Sequence, residues 1–323
     1  MQNVENYRQS FIKYLDQYVQ VRNPKSLYEP ISYILNLGGK RIRPILTLMT
    51  AEIFGQDYEI ALDAALSVEV FHNFSLIHDD IMDDAPLRRS QPTVHEKWDL
   101  NTGILSGDAM LIMAYQLFEK YEPKVFRNLA KLFSKTAIQV CEGQQYDIDF
   151  ETRNDVDISD YLKMIEFKTA VLIGAAMKMG AIIAEVSEQD QNAIYEFGKN
   201  LGIAFQLQDD YLDVFGDAAT FGKQVGGDII ENKKTYLYLT ALNLSSETDK
   251  LELLNLYNSS NNKDAKINSV KNLFLNCGAD KATLKEIEKH THHAFSVLNS
   301  LNISDDKKTI LKQFGQQLMN RSV

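Results

Sequence analysis

Cysteine, proline and glycine are scarce in this chain of 323 residues, and each shortage closes off a class of explanation. The two cysteines, Cys141 and Cys277, have no paired spacing. That excludes a disulfide framework and a cysteine zinc site, and both read as reduced core thiols. Six prolines and 16 glycines, gathered at a few places, leave long stretches free to be helical. Positive charge is also short: 34 Lys and Arg stand against 44 Asp and Glu, a formal net charge of −10. This argues against nucleic-acid binding through a basic face. No uninterrupted apolar run approaches the length needed to span a bilayer, and the polar start, Met1 to Ser10, lacks the apolar region of a signal segment. The expectation is a soluble, cytoplasmic protein with no transmembrane segment. A hydrophobic fraction of 45% still supplies an ordinary globular core.

Helical periodicity dominates what is present. Tyr7, Phe11, Tyr14 and Leu15 mark an amphipathic opening helix, and Leu27 to Leu37 a second that stops at Gly38-Gly39. A third begins at Pro44 and runs to about Phe54, with proline at a tolerated early position. Tyr58 to Asp84 reads as one long helix, and Pro86 to Trp98 as an exposed basic loop. Further helices fall at Ile104–Tyr121, Pro123–Gln145, Ile158–Val186 and Glu188–Phe215. A glycine-punctuated loop, Asp217 to Gly227, precedes a run of shorter helices from Ile229 to Met319. With no repeat or boundary in view, residues 1–323 are expected to form a single all-α helical bundle. Its ligand site would lie in a central cavity between facing helices.

Two copies of one acidic pattern sit far apart: Asp79-Asp80-Ile81-Met82-Asp83 and Asp209-Asp210-Tyr211-Leu212-Asp213. Each places carboxylates at i, i+1 and i+4, so two share a helical face. Each also precedes a helix breaker, Pro86 or Gly216, where the end of the dipole is already negative. Breaking the charge rule twice in the same way points to function. Divalent cations are the simplest compensation, and an oxygen-only donor set suits magnesium, which usually bridges carboxylates to a substrate's phosphates.

The basic residues have ordinary explanations when taken singly. Gly38-Gly39-Lys40-Arg41-Ile42-Arg43-Pro44 puts three cations at a glycine turn opening a helix. Such a turn can bind an anion, but alone it is better explained as a solvated basic turn. The Leu87-Arg88-Arg89 arginines could merely neutralise the nearby aspartates. Lys168-Thr169 lies among apolar neighbours, where a lysine can snorkel. Lys223 and Lys233 stand near the second acidic cluster.

Taken together these signals are specific. The chain resembles the trans-prenyl diphosphate synthases, the head-to-tail polyprenyl synthetase family, from Gly38 to Tyr236 by motif. The matching segments are Gly38–Pro44, Leu76-Ile77-His78 with Asp79–Asp83, Leu87–Arg89, Gly107-Asp108, Lys168-Thr169, Phe205-Gln206-Leu207-Gln208 with Asp209–Asp213, and Asp228-Ile229-Ile230-Glu231-Asn232-Lys233.

This resemblance implies two diphosphate pockets. Asp79, Asp83 and Asp209 would bind about three magnesium ions on the allylic diphosphate, supported by Asp80, Asp210 and Asp213. Arg88, Lys168, Gln206 and Lys223 would contact that diphosphate, with Lys233 nearby. Lys40, Arg43, His72 and Arg89 would hold isopentenyl diphosphate. Without the resemblance, His72 would be read as a core histidine. The catalytic set is Asp79, Asp80, Asp83, Lys168, Thr169, Gln206 and Asp209, with the Lys168 carbonyl, Thr169 and Gln206 beside the allylic cation. The partners are isopentenyl diphosphate and an allylic diphosphate (dimethylallyl, geranyl or farnesyl), and the family is usually homodimeric.

Phe74 lies five residues before Asp79, about 7.5 Å along a helix, with Ser75 beside it and Phe71 one turn deeper. An aromatic there is ordinarily core, but within the family it resembles the floor of the product pocket. The pattern is closest to archaeal-type geranylgeranyl synthases, with farnesyl diphosphate the other product. A terpene cyclase of the same fold, a head-to-head synthase and a non-catalytic regulatory subunit are the competing readings. Both complete acidic motifs and the Gly38–Pro44 site weigh against them. Asp84 has no evident role, and the end of the chain, Met319 to Val323, lacks the basic closing tail of animal-type farnesyl synthases.

Overall fold

The structure is a computed structural model, and it describes residues 3–216, 226–258 and 263–319. The protein is all-α, as expected. Among the described residues the only sheet is a two-stranded hairpin, β1 (Leu87–Arg88) against β2 (Gln91–Pro92). The chain divides into two compact units: Met1–Thr136 with Ala175–Tyr195, and Ala137–Gly174 with Glu196–Val323.

The first unit is built on α1 (Val4–Tyr18), α2 (Lys25–Asn36), α3 (Ile42–Ile53), α4 (Leu62–Met82), the single turn α5 (Val94–Lys97) and α6 (Leu100–Gln116). It also takes the start of α7 (Pro123–Thr152), the end of α9 (Val171–Ile183) and the start of α10 (Glu188–Phe215). Its centre is α4, which is buried over most of its length. The span Tyr58–Met82 is long and apolar enough to cross a bilayer by length and composition, yet 67% of its apolar 18-residue window is buried inside the protein. Its apolar character therefore serves the core. An aromatic cluster packs there: Phe71 and Phe118 meet Phe133 of α7 at centroid distances of 5.0 and 5.3 Å, and Tyr115 meets it at 4.7 Å. Thr47 of α3 donates to the Ala176 carbonyl of α9 at 2.9 Å, tying those two helices together.

In the second unit, α8 (Ile158–Ile165) and the inner half of α10 pack with the later helices Tyr236–Leu244, Glu247–Tyr257, Lys263–Cys277 and Ala279–Val297. Their core includes Tyr161, Leu207, Leu237, Leu253, Val270 and Phe274. Apolar side chains at helical spacing drive this packing, and deleting one such aromatic typically costs about 3–5 kcal/mol.

Several local expectations change. The third helix starts at Ile42 rather than Pro44, because Arg41 adopts a left-handed N-cap conformation. The Asp99 carboxylate caps the Thr102 N–H at 2.9 Å, so α6 begins before Ile104. Helix α7 continues past Gln145 to Thr152, where the Lys234 ammonium donates to the carbonyls of Phe150 at 2.6 Å, Glu151 at 3.2 Å and Arg153. This is a lysine neutralising a helix C-terminus from elsewhere in the chain. The segment expected as one helix from Ile158 to Val186 is broken by a π turn at Glu166–Ala170. Cys141 is exposed rather than a core thiol, whereas Cys277 is partly buried against the core of the second unit; neither is in a disulfide.

Candidate functional site

In the first unit, Gly38, Gly39 and Arg41 all take positive φ, +83°, +123° and +51°, turning the chain sharply between α2 and α3. Glycine suits the first two because a side chain there is strained. A Cβ on Gly39 would also lie 2.8 Å from the Arg89 guanidinium, and Arg89 donates to the Gly38 carbonyl. Arg89 reaches this turn from the tip of the hairpin, where Arg89 and Ser90 both take left-handed φ, +53° and +61°. Turns with two such residues normally use Asn-Gly. Two non-glycine residues held there mark a strained tip of the kind found at ligand sites.

Arg43 enters the same region from the first turn of α3. Its NH1 donates to His72 Nε2 at 3.2 Å, which leaves the His72 proton on Nδ1. The Arg43 Nε is buried with no hydrogen-bond partner. Burial lowers the Arg43 pKa to about 10, against the attraction of Glu69. Burial pushes His72 well below the ordinary histidine range, and Arg43, Arg89, Arg88 and Arg41 add to the effect. Burial, followed by repulsion from Arg41, also depresses Arg89. Like charges brought together with a donor left over suit an anion. Lys40 is exposed at the edge of the turn.

At the end of α4, Asp79 is half-buried, Asp80 buried and Asp83 exposed. Asp80 faces inward, where Arg88 grips it with a two-pronged contact, Nε to Oδ2 at 2.8 Å and NH2 to Oδ1 at 2.6 Å. Arg88 therefore neutralises an aspartate. Asp84 has a structural role that explains its presence. It is left-handed at φ +48°, its N–H donates to Ile81 O at 3.3 Å, and Ala85 N–H donates to Asp80 O at 2.9 Å. Those are the two bonds of a helix-ending Schellman turn.

Phe74 is buried between Phe71 and His78, at centroid distances of 5.4 and 4.8 Å. Ser75 is turned back onto the His72 carbonyl at 2.9 Å. Gly107 has a steric reason: a Cβ there would lie 2.3 Å from His78 Nε2.

In the second unit, the π turn carries Lys168 and Thr169. Lys168 Nζ donates to Asp147 Oδ2 at 2.5 Å. Thr169 donates to Gln206 Oε1 at 3.2 Å, Gln206 Nε2 donates to Asp210 Oδ1 at 3.0 Å, and the Tyr161 hydroxyl donates to Asp210 Oδ2. Burial and then the charge of Asp228 push Asp210 up to about 8, while the Tyr161 and Gln206 bonds restrain it. Asp213 is buried and its Oδ2 accepts the Asp228 N–H at 3.0 Å. Asp209 is half-buried. Although burial works against the charge of Lys233, Asp228 at 3.8 Å and Glu231 at 2.9 Å hold it above the ordinary lysine range. Lys223 lies outside the described residues.

Glu69, Asp147, Gly143 and Tyr161 were missed by sequence reasoning. Glu69 left one signal, a lone carboxylate in an otherwise apolar stretch of α4, and Gly143 another, a glycine inside a long helix.

A basic cluster at a glycine turn, two acidic helix ends and an all-α scaffold suit a helical enzyme that handles anionic substrates. Comparison with known proteins makes this specific: residues 24–274 match the polyprenyl synthetase family, and the chain belongs to it. It is a prenyltransferase. It is 40% identical over 237 residues to the geranylgeranyl diphosphate synthase of Methanosarcina mazei, covering 73% of each chain. Against the geranylfarnesyl diphosphate synthase of Natronomonas pharaonis it is 39% identical over 246 residues, 70% of this chain and 72% of that one. Among solved structures, a crystal structure of a geranylgeranyl pyrophosphate synthase superposes with a TM-score of 0.96 at 52% identity, covering 100% of both chains.

Proposed function

We propose that this chain condenses isopentenyl diphosphate with an allylic diphosphate to make a short trans-prenyl diphosphate, geranylgeranyl diphosphate in preference to farnesyl diphosphate. The observation that carries this reading is the convergence of the Arg43 and Arg89 guanidinium groups, with neutral His72 against Arg43, around a glycine turn. With Lys40 they form the isopentenyl diphosphate site. Arg88, Lys168, Gln206, Lys223 and Lys233 serve the allylic diphosphate, Arg88 and Lys168 leaving Asp80 and Asp147 to do so.

Asp79, Asp83 and Asp209 are the proposed magnesium ligands, about three ions in all, with Asp80, Asp210 and Asp213 in support. Their chemistry fits: the donors are carboxylate oxygens, and Asp79 and Asp83 share a helical face at i, i+4. Bound magnesium supplies positive charge to a diphosphate leaving group. The chain's own groups do the rest. Lysine and arginine side chains orient both diphosphates, and the Thr169 hydroxyl, the Gln206 amide and the Lys168 carbonyl face the allylic carbon as its C–O bond breaks. The isopentenyl double bond attacks that carbon, and a proton then leaves C2 of the isopentenyl unit for the departing diphosphate. No side-chain nucleophile is needed.

Phe74 is the proposed floor for the growing chain, backed by Phe71, with Ser75 leaving the adjacent space open. A soluble cytoplasmic homodimer completes the proposal, with a second copy covering the exposed apolar residues Ile104, Leu105 and Ile112 of α6. The test of the metal assignment is Asp79→Ala and Asp209→Ala. Each should cut turnover by orders of magnitude with unchanged helical circular dichroism, and near-normal turnover in either would refute it.

A further inference from the structure

Arg41 stands inside the glycine turn, but its guanidinium is engaged by Glu69 and the Leu35 carbonyl. It is buried, at 6% exposure, and held in a left-handed conformation at the N-cap of α3 with no side-chain cap. Its NH1 donates to Glu69 Oε1 on α4, and its NH2 donates to the Leu35 carbonyl near the end of α2. One guanidinium thus ties together the helix before the turn, the helix after it and the helix beneath it. Glu69 is buried as deeply, at 3%. It is fixed in turn by Asn73, whose Nδ2 donates to the Glu69 carbonyl at 2.8 Å and to Oε1 at 3.1 Å. Glu69 and His72 lie three residues apart on α4, and Arg41 and Arg43 two apart on the turn. The Arg41–Glu69 pair and the Arg43–His72 contact therefore sit side by side.

We infer that Glu69 and Arg41 are positioning residues for the isopentenyl diphosphate site, clamping the Gly38–Arg43 turn onto α4 so that Arg43, His72 and Arg89 hold their places before substrate arrives. This rests on the assignment of that site proposed above. A buried ion pair is weak evidence of stabilisation in itself, and setting one arrangement among several is its better-attested use. Here the arrangement needs setting. Arg41 and Arg88 repel Arg89, Arg43 is buried with a donor unpaired, and the turn contains three positive-φ residues. Glu69 is the carboxylate whose charge supports both Arg43 and Arg89 against their burial. Removing its charge should let the guanidinium groups spread and the turn relax away from α4.

The experiment is steady-state kinetics on the full chain with Glu69→Gln, Arg41→Lys and, as reference, Arg43→Ala. Arg41→Lys keeps the charge, but one ammonium cannot span both Glu69 and the Leu35 carbonyl. A misplaced site of this kind typically costs about ten- to a hundredfold. Both positioning variants should raise KM for isopentenyl diphosphate by at least about tenfold while leaving KM for the allylic diphosphate and kcat within about threefold. A purely structural role would lower the amount of active enzyme without splitting the two KM values. If Glu69→Gln does not fold, Arg41→Lys decides. An unchanged isopentenyl KM in a folded variant, or equal rises in both KM values, overturns the inference. If Arg43→Ala itself leaves the isopentenyl KM unchanged, the site assignment fails instead.

Discussion

Gly143 of α7 lies so close to Lys168 that a Cβ on it would be 2.2 Å from the Lys168 backbone nitrogen. The contact is backbone to backbone, so no rotamer change can relieve it. It sets the π turn directly against α7 and brings the Lys168 ammonium within 2.5 Å of Asp147, one helical turn further on. Gly143→Ala should therefore destabilise the protein by about 1–3 kcal/mol or more, as overpacking of a tight contact does. Turnover should fall further than stability, because Lys168 and Thr169 move with the turn. Urea midpoints measured beside kcat check both effects.

His72 makes stability depend on pH. Unfolded, an imidazole takes its proton near 6.5; folded, burial and the surrounding arginines keep His72 neutral until well below that. Between those two values the unfolded chain binds more protons. Stability contributed by neutral His72 is thus present above pH 6.5 and lost as pH falls, by at most about 1.4 kcal/mol per pH unit. Denaturant midpoints at pH 7.5 and 5.5 (roughly one unit either side of that value) should differ less in His72→Asn than in the parent. An unchanged difference would show that His72 is not the group responsible.

Phe74 is buried against Phe71, which in turn rests on Phe133. Truncating Phe74 should open a channel only as deep as Phe71. Phe74→Ala should then lengthen the product by about one isoprene unit, and Phe74→Ala with Phe71→Ala by more, at a further core cost of about 3–5 kcal/mol. Chromatography of the products decides, and unchanged length would remove Phe74 as the floor.

The all-α class and both acidic clusters were legible in the sequence because each rests on local spacing. Apolar residues recur at helical intervals, and Asp79–Asp83 and Asp209–Asp213 violate the charge pattern those intervals favour. What was not legible depends on partners distant in the chain. The pairing of Lys168 with Asp147 spans 21 residues, that of Arg41 with Glu69 spans 28, and that of Tyr161 with Asp210 spans 49. Nothing in residues 158–186 marks the π turn, whose backbone packs against the distant Gly143 of α7. The hairpin carrying Arg88 and Arg89 was read as a loop because Arg-Ser lacks the usual signature of its turn. Asp84 looked like a surplus acid until its left-handed φ showed it closing α4.

The central claim is head-to-tail prenyl transfer, and it is tested most directly by its product. The purified chain is incubated with magnesium, radiolabelled isopentenyl diphosphate and, separately, dimethylallyl, geranyl or farnesyl diphosphate, and the products are chromatographed after dephosphorylation. Incorporation of label from at least one primer, converging on geranylgeraniol and abolished by a chelator, is the expected result. No incorporation from any primer, or a cyclic hydrocarbon formed without isopentenyl diphosphate, would contradict the account.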